Sequence, residues 1–319
     1  MTTEHSRTLV FRDVRVFDGA EVLPRQDVIT QDGIVVQVRP TGSQIPEGDI
    51  VDGTGRTLLP GLVDAHLHLP PSPEAALRQL LELGVTTVFD MFSGGEVLDS
   101  INRIAATDPP HLASPFTSGT GATAPGSALE KMTRQPLPTV SHPRDAAAWV
   151  DARLREGSDY VKIIYDDREG GRLDLSTLKA LIEAAHHRGA RAVVHAITEQ
   201  TAREAITAGA DGLAHLFIGP DVSPDFGACA ADHDVFVIPT LGVLRGMCGE
   251  RPNLALAADP RLARYVDVRP PVPVRPADAT RSHLYSAATA ALAQLVTAHV
   301  RVLAGTDTGI PTAALGVFA

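Results

Sequence analysis

The chain is poor in the features that mark specialised proteins. It has two cysteines in 319 residues, Cys229 and Cys248. They would pair only by chance of geometry, so both read as structural residues of a reducing compartment. Basic residues are in the minority, 28 Lys and Arg against 38 Asp and Glu, for a net charge of −10. That balance argues against a nucleic-acid surface, which needs a basic face. The opening stretch MTTEHSRTLVFRD has no apolar signal core, and no apolar run nears the length of a membrane span. Neither nucleic acid nor membrane is therefore expected as a partner, and a cytoplasmic location is the default.

What remains is an ordinary globular composition, 44% hydrophobic and 21% charged, in a chain long enough for one large domain or two smaller ones. The segment TLVFRDVRVFDG sets Leu9, Phe11, Val14 and Val16 among polar residues, and DVITQDGIVVQVRP follows with a glycine turn. Short antiparallel strands are predicted here, forming a small β-sheet module within residues 1–57. From residue 58 the pattern changes to apolar strands alternating with helices. The first strand, in LLPGLVDAHLHL, reads as buried from Leu58 to Val63. Others are predicted at 84–91, 111–119, 159–167, 190–196, 211–217, 234–241 and 301–307. The helix at 176–189 is expected to be capped by Ser176 and stopped by Gly189, and a further helix covers 286–300. Eight such units over residues 58–319 predict an α/β fold, a (β/α)8 TIM-type barrel. The alternative is an open doubly wound sheet, weakened because no G-x-G-x-x-G follows the first strand.

Strand side chains alternate faces, so His66 and His68 point the same way, with Leu67 opposite. Both sit at the C-terminal end of their strand, where barrel active sites lie. Two imidazoles a pleat apart can bind one metal ion. His195, His215 and Asp307 each lie at the same end of their own strands. Any one of these alone could be a histidine bonded to backbone or an aspartate in a turn; five together point to a metal centre. Lys162, within YVKIIY, is flanked by residues that imply burial, and an unpaired buried ammonium is costly. A carboxylate partner, a depressed pKa or covalent change would each relieve it. Residue type alone favours a salt bridge, for instance to Asp90.

Taken together, GLVDAHLHL, DYVKIIYDD, VVHAITEQTAREAITAGADGLAHL and VLAGTDTG resemble the amidohydrolase superfamily, most of all its imidazolonepropionase-like and prolidase-like branch. The likeness runs through nearly the whole chain. It implies a binuclear centre, with one ion on His66, His68, Lys162 and Asp307 and a second on Lys162, His195 and His215. Lys162 stands where the family has a bridging lysine, which implies a carbamate made from carbon dioxide. Two divalent ions are implied, zinc first because it suits imidazole and carboxylate. They would activate a bridging water, and Asp307 would take its proton and pass it to the leaving group. The implied reaction is hydrolysis of an amide, peptide, lactam or ester-like bond. Two alternatives stay open: a weakly active or non-catalytic metal-binding form, and a single-metal deaminase of the same superfamily.

Family members continue past the final aspartate with a last barrel helix and further strands of the β-sheet module. Here twelve residues, TGIPTAALGVFA, follow Asp307. The barrel is accordingly expected to lack its last helix. Such a loss forfeits several buried side chains at about 1.5–3 kcal/mol each, so a homo-oligomer covering the gap is expected. Loops 118–143 and 243–280 are expected to meet a small-molecule substrate, with His142, Tyr165 and Arg245 as candidate contacts.

Overall fold

Alternating apolar residues near the N-terminus build a sheet, and the computed structural model shows its register. The model describes residues 7–44, 46–133, 136–166, 171–248, 258–261 and 282–309. The chain divides into two compact units, Met1–Gly61 and Leu62–Ala319. The first holds β1 (Thr8–Phe17), β2 (Val22–Gln31), β3 (Ile34–Pro40), β4 (Asp49–Asp52) and β5 (Thr57–Leu58). Their order is β3-β2-β1-β4, with β5 also on β1. The β1–β2 and β2–β3 pairs are antiparallel, as the pattern predicts. By contrast, β4 and β5 join β1 in parallel, which the alternation could not reveal. Between β2 and β3, Asp32 and Gly33 both take positive φ, 50° and 83°, the backbone that a tight two-residue hairpin needs.

Among its described residues the second unit carries the helices and seven short parallel strands. These are β6 (Leu62–Leu67), β7 (Val85–Asp90), β8 (Ser114–Thr117), β9 (Val161–Ile164), β10 (Ala192–His195), β11 (Gly212–Ala214) and β12 (Phe236–Ile238). One sheet runs β6-β7-β8 and the other β9-β10-β11-β12. Single bridges join them: Ala122 with Ile163, Val237 with Val302, and Leu67 with Thr308. Residues 301–308 thus serve as the eighth segment and bring the ring back to β6. Such a ring is consistent with a TIM-type barrel rather than an open doubly wound sheet.

The α-helices among the described residues are α1 (Pro73–Glu82), α2 (Glu96–Thr107), α3 (Ala128–Thr133), α4 (Ala146–Arg155), α5 (Leu175–His186), α6 (Glu199–Thr207), α7 (Phe226–Asp232), α8 (Leu241–Met247) and α9 (Tyr285–Thr297). Each has a local cause. Pro73 opens α1, and Ala76, Leu77 and Leu80 bury one face. Thr198 and Thr201 close a reciprocal capping box on α6. For α5 the expected cap is corrected: Asp174, not Ser176, accepts the Thr177 N–H. Asp174 precedes the first helical residue, where a carboxylate faces unpaired amides.

Outward-facing Val161, Ile163, Val194, Leu213 and Val237 pack with Leu178 and Leu181 of α5 and with Ala291 and Leu295 of α9. Inward, Ala65, Val193, Ala214 and Ile238 line the bottom of the ring. The first barrel strand departs from expectation at its start. Leu59, Leu62 and Val63 are exposed, and burial begins at Asp64 and continues through Leu67. The reason is positional: Leu62 and Val63 lie at the strand's entry, and the ring encloses only its later half. No described helix is long and apolar enough to cross a membrane. The proline-rich stretch 267–278 and the last residues, 310–319, on which the expectation of a missing helix rests, lie outside the described residues.

Candidate metal centre

The site grows from how β6 meets the eighth segment. Asp64 is fully buried. Its Oδ1 accepts the His66 N–H at 3.1 Å and the Thr306 N–H at 3.0 Å, and its Oδ2 accepts the Thr306 hydroxyl at 2.6 Å. The Asp307 N–H then donates to the His66 carbonyl at 2.7 Å. These bonds set the register that brings His66 and Asp307 side by side. Gly305 permits the approach, because a Cβ there would run into the His66 Cβ and the Ile238 side chain. On the far side, Asp90 ties the tops of three strands by accepting from the Leu69 N–H, the Ser93 hydroxyl and the Thr117 hydroxyl.

His66, His68, Lys162, His195, His215 and Asp307 all line one cavity of about 370 Å³. Asp307 Oδ1 lies 3.2 Å from His66 Nε2 and 3.1 Å from His68 Nε2, while Oδ2 lies 3.9 Å from His215 Nδ1. Ring centroids are 4.6 Å apart for His66–His215 and 4.7 Å for His195–His215. His195 Nε2 lies 3.8 Å from Asp166 Oδ2.

Electrostatics follow from burial. It pushes His66 down to about 3, helped by the nearby Lys162 cation, and pushes His215 well below its ordinary value. Both imidazoles are therefore neutral near pH 7, with lone pairs to offer. Burial also acts on Asp307, raising it, but the adjoining His66 and His215 more than reverse this and hold the carboxyl well below the usual range. Lys162 is pushed down to about 7, again by burial. The salt bridge to Asp90 that residue type favours is not formed; Lys162 Nζ donates instead to Met91 Sδ at 3.6 Å.

These residues fit a metal ion. His66, His215 and Asp307 offer donor atoms all within 4.8 Å of one another. Asp307 Oδ1 is buried without a hydrogen-bond partner, although two Nε2 atoms face it. Polar atoms gathered this closely could hold a cation between them.

The three candidate substrate contacts are not brought to this cavity. Tyr165 is fully buried and its hydroxyl donates to Glu204 on α6. Parity explains it: Lys162, Ile164 and Asp166 face the cavity, so Tyr165 faces outward. His142 is exposed and precedes the 3₁₀ turn Pro143–Asp145. The Arg245 guanidinium lies 5.8 Å from the Tyr285 ring centre, on a different side of α8 from the cavity-lining Val243, Leu244 and Met247. Sequence reasoning misses Asp64, Asp166 and Thr240. A buried acid two residues before the first histidine would have marked Asp64; counting by twos from Lys162 would have found Asp166.

Parallel strands with imidazoles and a carboxylate around one cavity are consistent with a barrel protein that could hold a metal ion. The chain belongs to the amidohydrolase family, whose pattern matches residues 57–318. An uncharacterized protein of Mycobacterium tuberculosis is 30% identical over 275 residues, 80% of this chain and 65% of its own length. An adenine deaminase of Desulforamulus reducens is 32% identical over 85 residues, 25% of this chain and 14% of its own. The chain thus spans less than two thirds of these relatives. Among solved structures, a Xaa-Pro dipeptidase with methionine in its active site superposes with a TM-score of 0.76 at 18% identity, covering 95% of this chain and 80% of the other. An A. niger ochratoxinase gives 0.70 at 17% identity, covering 97% and 78%. At these identities the likeness establishes the fold.

Proposed function

We propose that the chain is a metal-dependent hydrolase that cleaves an amide, peptide, lactam or ester-like bond of a small molecule. One observation carries the reading: six side chains from five segments (β6, β9, β10, the end of β11 and residues 301–308) line a single cavity, with the unpartnered Asp307 Oδ1 among them. His66, His68 and Asp307 would hold one divalent ion and His195 and His215 a second, with Lys162 as a shared carbamate; zinc suits this donor set. When bound, the ions supply a Lewis acid for the scissile carbonyl and lower the pKa of a water towards about 7.

The chain's own groups do the rest. Neutral His66 and His215 present lone pairs without first losing a proton. Lys162, pushed down to about 7, keeps a substantial neutral fraction near that pH, and the neutral amine is the form that adds carbon dioxide, releasing one proton. Asp307 is ionised, so its carboxylate can accept the proton of an attacking water and hand it to the departing nitrogen or oxygen. A second reading, a single ion on His66, His215 and Asp307, is favoured by the closeness of those three.

The test loads purified protein with zinc, manganese or cobalt, measures bound metal, and screens N-acyl amino acids, dipeptides, lactones and cyclic amidines. Two ions per chain with hydrolysis of an amide or ester support the proposal. One ion with ammonia release supports the second reading, and metal-loaded protein without turnover overturns both.

A further inference from the structure

His68 is held differently from the other candidate ligands. Its side chain is 24% exposed, against 1% for His66, so packing encloses its ring least and the main chain must set its position. That main chain is already leaving the sheet. Strand β6 ends at Leu67, and Leu69 is followed by Pro70 and Pro71, which carry no N–H. The Leu69 N–H belongs to a buried residue past the end of its ladder, where it needs an acceptor from elsewhere.

Asp90 supplies that acceptor. It is the register partner of Leu67 in the β6–β7 pair, and it is fully buried. Its Oδ1 accepts the Leu69 N–H at 2.9 Å. Two hydroxyls fix the carboxylate in this orientation, Ser93 donating to Oδ1 at 2.9 Å and Thr117 to Oδ2 at 2.8 Å. Thr117 is itself held, because its hydroxyl accepts the Gly119 N–H at 3.0 Å and its own N–H donates to Asp159 Oδ2 at 2.8 Å.

The peptide before His68 is pinned as well. The Met91 N–H donates to the Leu67 carbonyl at 2.9 Å, and the His68 N–H donates to the Thr308 carbonyl at 2.8 Å. Gly309, at φ 93°, lies so close that a Cβ there would collide with the His68 carbonyl. Both peptide groups that flank the His68 Cα are therefore fixed, one by the segment that carries Asp307 and the other by the Asp90 carboxylate. The ring they carry has its Nε2 3.1 Å from Asp307 Oδ1.

Resting on the metal-dependent reading, we infer that Asp90 is the positioning residue of His68: by holding the Leu69 N–H it aims the imidazole at the ion shared with His66 and Asp307. Asp90 acts through the main chain and does not touch the ion.

The experiment measures zinc affinity of the full chain by chelator competition. Asp90→Ala should weaken binding by about 10–100-fold, the usual cost of losing a group that orients a ligand. Asp90→Asn, which keeps an oxygen for the Leu69 N–H, should recover most of it. The decisive arm is the His68→Ala background, where Asp90→Ala should change affinity by less than about threefold, because the two residues act as one unit. A loss of the full size in that background, as a merely structural role would give, overturns the inference, and so does undiminished affinity in the single Asp90→Ala variant. Should Asp90→Ala fail to fold, amide exchange in the unaltered protein decides. Coupling is reciprocal, so zinc should slow exchange at Leu69 by about tenfold more than at Gly119, and equal slowing at the two overturns the inference. Failure of the unaltered protein to bind zinc overturns the metal-dependent reading and this inference with it.

Discussion

Thr240 Oγ1 lies 2.6 Å from His215 Nδ1, and Thr240 adopts φ 46° and ψ 46° where it does so. A β-branched residue in the left-handed region is strained by about 1–3 kcal/mol. His215 and Asp307 also have positive φ, 75° and 52°. Strain is thus gathered at the strand ends that carry the site. A His215 tautomer protonated at Nδ1 would donate to the hydroxyl oxygen and leave its Nε2 lone pair for an ion. Thr240→Val, which keeps the shape and removes the acceptor, should weaken metal affinity by about 10–100-fold in a chelator-competition titration. Thr240→Ser should restore most of it. Equal affinities in both variants would remove the hydroxyl from any role in orienting His215.

Lys162 is 2% exposed among apolar neighbours, a poor place for an ammonium and a good one for a shared anionic ligand. Lys162→Ala should bring bound metal below two ions per chain by elemental analysis. In protein equilibrated with ¹³C-labelled bicarbonate, carbon NMR should show a carbamate signal that the variant lacks. Two ions still bound in the variant would exclude a bridging carbamate.

Asp307→Asn keeps the size of the side chain and removes its capacity to carry a proton. Turnover at saturating metal should fall by about 10²–10⁴-fold, the usual weight of a positioned acid–base group, while part of the metal binding persists. Turnover near that of the unaltered protein would take Asp307 out of the proton-transfer role.

Asp90 makes a prediction about stability. Burial pushes its carboxyl above the ordinary value of 3.8. As pH rises, the unfolded chain gives up this proton before the folded chain does, so the stability it contributes is complete below about 3.8 and is lost as pH climbs through the folded value. The amide of an Asp90→Asn variant cannot ionise. Urea midpoints of that variant relative to the parent should therefore shift towards greater stability as pH rises above about 3.8, and parallel pH profiles would contradict the assignment.

The barrel and the candidate ligands were legible because each rests on a short-range rule. The i, i+2 spacing of His66 and His68 sets one face of a strand, Val161 and Ile163 declare Lys162 buried, and strand ends select His195, His215 and Asp307. What stayed hidden depends on distant partners or on elements too short for periodicity. Thr240 matters because β11 brings His215 beside it. Helix α8 has seven residues, two of them glycine, and shows no usable hydrophobic period until it is packed. Tyr165 faces away from the cavity for a reason the sequence does hold: it is an odd number of residues from Lys162. The parallel pairing of β4 and β5 with β1 is a long-range choice that alternation leaves open.

The central claim is that these six side chains surround bound cations, and anomalous diffraction from crystals of the zinc-loaded protein addresses it most directly. The account predicts two peaks at the zinc edge, one touching His66, His68 and Asp307 and one touching His195 and His215, with density joining them at Lys162. An empty cavity in zinc-soaked crystals, or ions bound only elsewhere, would contradict it.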